Sequence, residues 1–179
     1  MILTNQCLIL SIQDANKFNL IIKEMNNNDI FRKLRYTFDF SDSKMIEIFA
    51  LADYEVNRSQ VSDCLKKEDD PSFLELSDNQ FAIFLNGLII DKRGKKDGPQ
   101  AIAEKRLNNN IILRKLKIAL NLKDDDILEI LNSVDLKISP HELSAFFRNP
   151  NQIQYKICQD QILRKFLHGI QLKYNPSQK

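Results

Sequence analysis

The sequence predicts an all-α protein made of two tandem, pseudo-equivalent four-helix units. Two observations carry this prediction. Residues 27–90 align without a gap onto residues 109–172 at a constant offset of 82, with about fifteen identities, which is the self-similarity expected of an internal repeat. Within each copy, apolar residues recur at three- and four-residue steps, the period of amphipathic helices. The sequence leaves open whether the two units share one compact core.

The first two helices of each unit are predicted from their apolar spacing. We expect the first helix to bury Ile30, Phe31, Leu34 and Phe38, matched by Ile112, Leu113, Leu116 and Leu120. The second helix follows an acid, Asp42 or Asp124, which suits a helix N-terminus because a carboxylate accepts from its free amides. Its core residues are predicted to be Met45, Ile48 and Phe49 in the first copy and Ile127, Ile130 and Leu131 in the second.

The third and fourth helices have explicit start signals. Ser139, Pro140 and Glu142 predict an N-cap, a first-turn proline and a capping box, and Asn57 with Gln60 repeats the box in the first copy. The fourth helix is expected to begin near Ser77 or its equivalent. Its predicted buried face comprises Phe81, Phe84, Leu85 and Leu88, mirrored by Leu163, Phe166, Leu167 and Ile170.

Gly87 and Gly169 occupy one register inside the two fourth helices. An internal helical glycine costs about 0.5–1 kcal/mol relative to alanine, so its repetition indicates a compensating close approach. We interpret both as helix-packing contacts. A ligand pressed against that backbone is the functional alternative.

The predicted boundaries are an N-terminal extension at 1–25, repeat 1 at 26–90, a basic linker at 91–106, repeat 2 at 107–174 and a frayed tail at 175–179. Residues 1–24 match neither repeat. They are either an added segment or an upstream stretch preceding a true start at Met25, and the second interpretation is slightly favoured.

Charge is distributed unevenly between the two halves. Residues 27–90 contain seven basic and twelve acidic side chains, whereas the chain after Ile90 contains seventeen basic and ten acidic ones. A basic half can bind nucleic acid or an acidic protein. The candidate anion or nucleic-acid surface comprises Arg32, Lys33, Lys92, Arg93, Lys95, Lys96, Arg106, Arg114, Lys115 and Arg148.

Each part of this basic set has a simpler alternative. The lysines and arginine of residues 92–96 suit a solvated connector as well as a phosphate site. The pairs Arg32-Lys33 and Arg114-Lys115 could instead bridge to Glu47 and Glu129, which are also repeated. Residues 46–67 have the outline of a helix-turn-helix, but Asp63 within this stretch and the acids at 68–70 directly after it would repel phosphates, and a plain helical hairpin is favoured.

No catalytic, metal-binding or cofactor-binding constellation is predicted. His141 lies beside a cap and His168 replaces Asn86, while the acidic runs lack the alternating spacing of a calcium loop. Cys7, Cys64 and Cys158 form no CxxC pair and are expected to be buried thiols in a reducing compartment. No apolar run approaches the roughly 20 residues of a membrane span, so a cytosolic protein is expected.

Several blocks resemble a known family. They are residues 26–29, 34–36 and 65–69, the run Phe84-Leu85-Asn86-Gly87-Leu88-Ile89, and residues 92–95 and 106–110. In order and spacing they resemble the bacterial YehS-like family, which carries two copies of a domain of unknown function. The resemblance covers residues 25–172 and implies a small bacterial cytosolic protein without an established activity. Since members begin near Met25, residues 1–24 depart from the pattern.

The sequence therefore predicts a non-enzymatic binding or regulatory module without a cofactor. A protein partner is favoured over nucleic acid, which remains the alternative, and an enzyme with an unrecognised site is the weakest candidate.

Overall fold

The structure, a computed structural model, describes residues 25–175. The expectations for residues 1–24 and 176–179 lie outside the described residues. Within 25–175 the secondary structure is entirely helical, which confirms the all-α prediction. The first repeat contains α1 (Asn27–Thr37), α2 (Asp42–Leu51), α3 (Arg58–Leu65) and α4 (Asp78–Arg93); the second contains α5 (Asn109–Ala119), α6 (Asp124–Asn132), α7 (Pro140–Phe146) and α8 (Asp160–Tyr174).

Every helix of the first repeat begins 82 positions before its counterpart, whereas three of the four ends differ by one residue. Local side chains set several of these starts. Asn57 and Gln60 form the predicted capping box, and Ser77 forms another with Gln80. Ser139, the residue before the first-turn proline, accepts a hydrogen bond from the backbone amide of Glu142.

The turns after the first and second helices also repeat. Asp39 and Asn121 have φ values of 50° and 53°, and Asp53 and Asp135 have values of 56° and 58°. Asp and Asn adopt this left-handed region more readily than other residues with a side chain. Each repeat therefore reverses direction by the same local chemistry.

The predicted core faces are buried in both repeats, with two corrections. Phe38 and Leu120 are only half-buried because the first helix of each repeat ends one residue earlier, at Thr37 and Ala119, which are buried instead. The apolar period thus predicted the buried face correctly and overran the helix end by one residue.

The two repeats pack crosswise. The fourth helix of each repeat packs against the first helix of the other, so α4 contacts α5 and α8 contacts α1. Two hydrogen bonds repeat this relationship: the amide of Leu107 donates to Asp78 Oδ2 at 3.0 Å, and the amide of Met25 donates to Asp160 Oδ2 at 3.1 Å. One cluster of buried apolar side chains runs through both repeats. The units therefore form a single pseudo-symmetric body.

Glycine permits the contact between α4 and α2. A Cβ added to Gly87 would overlap the carbonyl oxygen of Ile48. The same contact recurs between α8 and α6, where a Cβ on Gly169 would lie 2.6 Å from the carbonyl oxygen of Ile130. Real Cβ atoms do not approach a backbone oxygen this closely, so both registers require glycine.

A buried asparagine fixes the loop between the third and fourth helices. The Asn28 amide nitrogen donates to the carbonyl oxygens of Cys64 and Leu74 at 2.8 Å, and its Oδ1 accepts from the amide of Leu76 at 2.9 Å. Asn110 makes the equivalent three bonds in the second repeat. The loop of each repeat is thereby anchored to its first helix through backbone groups.

The connection between the repeats starts later than the linker predicted at 91–106. Helix α4 continues through Arg93, and Gly94 follows with a φ of 81°, a conformation that glycine adopts without steric cost. Lys92 and Arg93 are therefore helical, and residues 94–108, called the connecting segment below, carry the chain to α5. No helix within residues 25–175 has the length and apolar character needed to cross a membrane.

Candidate ligand pocket between the repeats

A pocket of about 620 Å³ lies between α4, α5, the end of α2 and the connecting segment. This volume is within the range of about 300–1,000 Å³ typical of small-molecule sites. Its apolar wall comprises Ala52, Ile83, Ile89, Ile90, Pro99, Ala101, Ala103, Ile118 and Leu122. The polar and charged lining comprises Asp53, Asn86, Arg93, Lys96, Gln100, Lys117 and Asn121.

The connecting segment is held over the pocket at two points. The amide nitrogen of Asn86 on α4 donates to the carbonyl oxygen of Ala101 at 3.1 Å. Asn79, in the first turn of α4, donates to the carbonyl oxygen of Glu104 at 3.2 Å. These bonds satisfy backbone carbonyls that have no helix partner, and they make the segment one wall of the pocket.

Lys115 ties the same wall to α5. The residue is 7% exposed, and its Nζ lies 2.5 Å from Asn86 Oδ1 and 2.8 Å from Glu104 Oε2. A buried ammonium is tolerated only when it is paired and hydrogen-bonded. Lys115 therefore joins α5, α4 and the connecting segment behind the pocket.

The rim of the pocket is positively charged. Arg93 and Lys96 are exposed and form no ion pair within residues 25–175. Lys117 pairs with Asp124, and its Nζ lies 4.5 Å from the centre of the Phe147 ring. Asp53 is the one acid among the described residues that line the pocket. The arrangement is suited to an anionic group.

The repeated arginines serve the fold. Arg32 donates to the carbonyl oxygen of Lys66 at 2.6 Å and pairs with Asp29, and Arg114 donates to the carbonyl oxygen of Phe147 at 2.9 Å. The expected bridge from Arg32 to Glu47 is wrong, since Glu47 pairs with Lys44 on its own helix at 3.1 Å. Asp29, one turn earlier on α1, and the carbonyl oxygen of Lys66, just after α3, are better placed as partners of Arg32.

The two repeated lysines differ. Lys115 is buried as described, whereas Lys33 is half-buried, and both its burial and the positive charge of Arg164 hold its pKa below the usual value. The position equivalent to Arg164 in the first repeat is Ala82, and that to Asn86 in the second is His168. The neighbours on the facing helix therefore decide what the same lysine does.

The other predicted basic residues have separate surroundings. The Nζ of Lys92 lies 5.5 Å and 5.3 Å from the ring centres of Phe38 and Phe40. Lys95 and Arg106 are exposed, and Arg148 hydrogen-bonds to Gln154. Of the ten residues of the predicted basic surface, the structure places Arg93 and Lys96 in the pocket and Lys115 behind it.

The helical hairpin of α2 and α3 carries a mixed charge. Asp63 pairs with Lys66 at 2.8 Å, and this contact lowers the pKa of the carboxyl group and raises that of the ammonium. Ser59 also donates to Asp63. The exposed side of α3 thus presents a carboxylate where a DNA-reading helix presents donors and cations.

The thiols are poorly suited to chemistry. Burial raises the pKa of Cys64 to about 11 and that of Cys158 to about 12, which suppresses the reactive thiolate. Both are free and buried as expected, while Cys7 lies outside the described residues. His141 and His168 are exposed, and within 25–175 no three His, Cys, Asp or Glu residues are grouped to hold a metal.

Sequence reasoning did not predict the pocket, because its lining comes from positions 52–122 and from one side of the pseudo-symmetric body. One signal was present. Ile83 and Ile89 on α4 correspond to Lys165 and Gln171 on α8, so the fourth helices differ on this face while their core faces agree. An apolar residue outside the shared core face marks a surface specific to one repeat.

Comparison with known proteins locates the chain in a family. The family model described as "Protein of unknown function (DUF1456)" matches this chain twice, at residues 27–94 and 109–175. The chain is 42% identical over 147 residues to the uncharacterized protein YehS of Escherichia coli (strain K12), a match that covers 82% of this chain and 94% of that protein. No solved structure matches. The two matched regions contain the two four-helix repeats described above, and the chain therefore belongs to the DUF1456 family, with two tandem copies of the domain.

Proposed function

We propose that the protein is a non-enzymatic, cytosolic binding module whose ligand site is the pocket between α4, α5 and the connecting segment. The observation that carries the proposal is the pocket itself: a cavity of about 620 Å³ with apolar walls and a few convergent polar groups. Such cavities are the usual form of small-molecule sites. The ligand would contact both repeats, which gives the tandem arrangement a role in binding.

The surrounding chemistry supports binding rather than catalysis. Lys115, behind the pocket, is engaged with Asn86 of the lining and with Glu104, and the raised pKa values of both described cysteines disfavour nucleophilic attack. Among the described residues, the pocket lining contains neither histidine, the most common general acid–base group, nor cysteine, a common nucleophile.

The geometry favours this proposal over a nucleic-acid surface. Arg32, Arg114 and Lys115 are occupied by internal partners, which removes three cations from the surface predicted from the sequence. Electrostatic binding to nucleic acid scales with the number of cations that can neutralise phosphates. A mobility-shift assay at about 50 mM salt, where such binding is strong, checks the alternative directly.

A fragment screen followed by ¹H–¹⁵N NMR tests the binding module. We expect fragments to shift the amide signals of pocket residues on α4 and α5 and to be recovered chemically unchanged by mass spectrometry. Ile83→Trp should abolish these shifts, because Ile83 lines the pocket and the indole would fill it. Ile46→Trp is the matched control, since Ile46 is also half-buried and is not among the lining residues.

Fragments that leave the pocket amides unperturbed would refute the proposal. Equal binding by the parent and by a folded Ile83→Trp variant would refute it as well. Chemical conversion of the fragments would instead indicate that the protein is an enzyme.

A further inference from the structure

The pocket lining combines a partly exposed apolar side chain with two cations, Arg93 and Lys96, that form no ion pair among the described residues. Ile118, on α5, lines the pocket and is 46% exposed. An exposed aliphatic side chain in the wall of an apolar cavity indicates a surface that is covered when a ligand is present.

The cations lie at one end of this apolar wall along the chain. Arg93, the last residue of α4, follows Ile90 by three residues, and Lys96 follows three residues later in the connecting segment. The polar end of a ligand whose apolar part lies against this wall would therefore come close to the Arg93 guanidinium and the Lys96 ammonium group. Only charge of the opposite sign benefits from that position.

The equivalent face of the second repeat lacks both features. Lys165 replaces Ile83 and donates to the carbonyl oxygen of Val134 at 2.6 Å, Gln171 replaces Ile89, and Asn175 replaces Arg93. The core positions remain apolar in both α4 and α8, whereas these three pocket-lining positions differ. The apolar wall and its cation are thus specific to one fourth helix and are not required by the shared fold.

We propose that the pocket binds a small amphipathic anion: an aliphatic chain that lies against Ile83, Ile89 and Ile118, with a terminal carboxylate held by Arg93 and Lys96. This inference rests on the proposed function and specifies its ligand class. The carboxylate can accept hydrogen bonds from the planar fork of Arg93, and the aliphatic chain removes apolar surface of the wall from water. Lys117 provides a third cation in the lining, although it already pairs with Asp124.

Three eight-carbon probes test the class: octanoate, octanol and octyltrimethylammonium, each below its micelle-forming concentration. We expect octanoate to shift the pocket amides and to bind roughly fivefold more tightly than octanol, the effect of two partly exposed charge contacts. Octyltrimethylammonium should bind most weakly. The preference for octanoate over octanol should decrease as salt is raised, because screening weakens exposed charge contacts.

The matched variants are two double substitutions that remove equal charge. Arg93→Gln with Lys96→Gln should weaken octanoate binding roughly fivefold and leave octanol unchanged. Lys95→Gln with Lys105→Gln is the control, because both lysines are exposed residues of the connecting segment that do not line the pocket, and octanoate binding should stay within about twofold of the parent. Thermal melts of both variants verify that they fold.

The outcomes separate this inference from the proposed function. Equal affinity for octanol and octanoate, unchanged by Arg93→Gln with Lys96→Gln, would overturn the anionic class and leave the pocket as a site for neutral ligands. Octanoate binding that survives Ile83→Trp would place the anion elsewhere and overturn the inference. If neither fragments nor octanoate perturb the pocket amides, both proposals fail.

Discussion

The Nζ of Lys115 lies 2.5 Å from Oδ1 of Asn86 and joins α5 to α4 across the boundary between the repeats. The other end of the Asn86 amide donates to Ala101, and Lys115 also contacts Glu104 at 2.8 Å. One buried contact therefore links the packing of the repeats to the position of the connecting segment. The wall of the candidate pocket depends on it.

Lys115→Ala should lower the free energy of unfolding by about 1–3 kcal/mol, because it removes hydrogen bonds to a charged group and leaves buried acceptors without a donor. Glu104→Gln should cost less, since the Glu104 side chain is 35% exposed. Urea denaturation of both single variants and the double variant should give a coupling energy of at least about 0.5 kcal/mol. Lys105→Ala, an exposed control, should change little. Strict additivity of the two substitutions would contradict the contact.

Gly87→Ala and Gly169→Ala should both destabilise the protein, by about 1–3 kcal/mol if the helices shift to relieve the overlap. Gly87→Ala should cost more, because its Cβ overlaps the Ile48 carbonyl oxygen, whereas the Gly169 contact also involves the side chain of Ile130, which can move. Helix propensity alone predicts the opposite sign, a gain of about 0.5–1 kcal/mol. Raised melting temperatures for both variants would therefore rule out the close approach.

Asn28→Ala and Asn110→Ala should each cost about 2–4 kcal/mol, the sum of three buried hydrogen bonds to backbone groups at about 0.5–1.5 kcal/mol each. Both side chains are almost fully buried and make equivalent bonds in the two repeats. Asn28→Asp should not rescue stability, since a carboxylate cannot donate to two carbonyl oxygens. Chemical denaturation gives these values, and the prediction is wrong if Asn28→Asp is as stable as the parent.

Lys33 should make stability depend on pH in the alkaline range. Burial, and secondarily the charge of Arg164, lowers its pKa in the folded state below 10.5, so the unfolded state binds more protons in that window and the free energy of unfolding rises with pH. Lys33→Met should therefore be more stable than the parent at neutral pH, and this advantage should shrink as pH approaches 10.5.

Cys64 and Cys158 have the opposite effect on how the free energy of unfolding varies with pH, and they are present in both the parent and the Lys33→Met variant. Their raised pKa values favour the protonated native state, so their contribution is present below about pH 9 and is lost as pH rises through about 11 and 12. The difference between parent and Lys33→Met, measured by urea denaturation from pH 7 to pH 10.5, isolates the lysine. A difference that does not vary with pH would refute its depressed pKa.

Much of the fold could be predicted because its signals are local. The apolar spacing identified the buried faces, and Asn57 and Ser77 marked helix starts through hydrogen bonds that span three residues. The positions of the helix ends were predicted less accurately. Phe38 continues the apolar period although α1 has ended, and α4 extends to Arg93 because Gly94, with a positive φ, comes only there. The pocket was beyond such reasoning, since its wall forms only when α4 and α5 cross.

The sequence by itself determined that the chain is a duplicated all-α protein, because duplication and helical period are both written in the order of the residues. It placed Lys33 and Lys115 in identical Arg-Lys-Leu contexts and could not separate them. Only the tertiary structure decided that Lys115 is buried against Asn86 and Glu104 while Lys33 faces Arg164. The physical reason is that burial and charge pairing depend on the helix that packs across from a residue, and the two fourth helices differ at those positions.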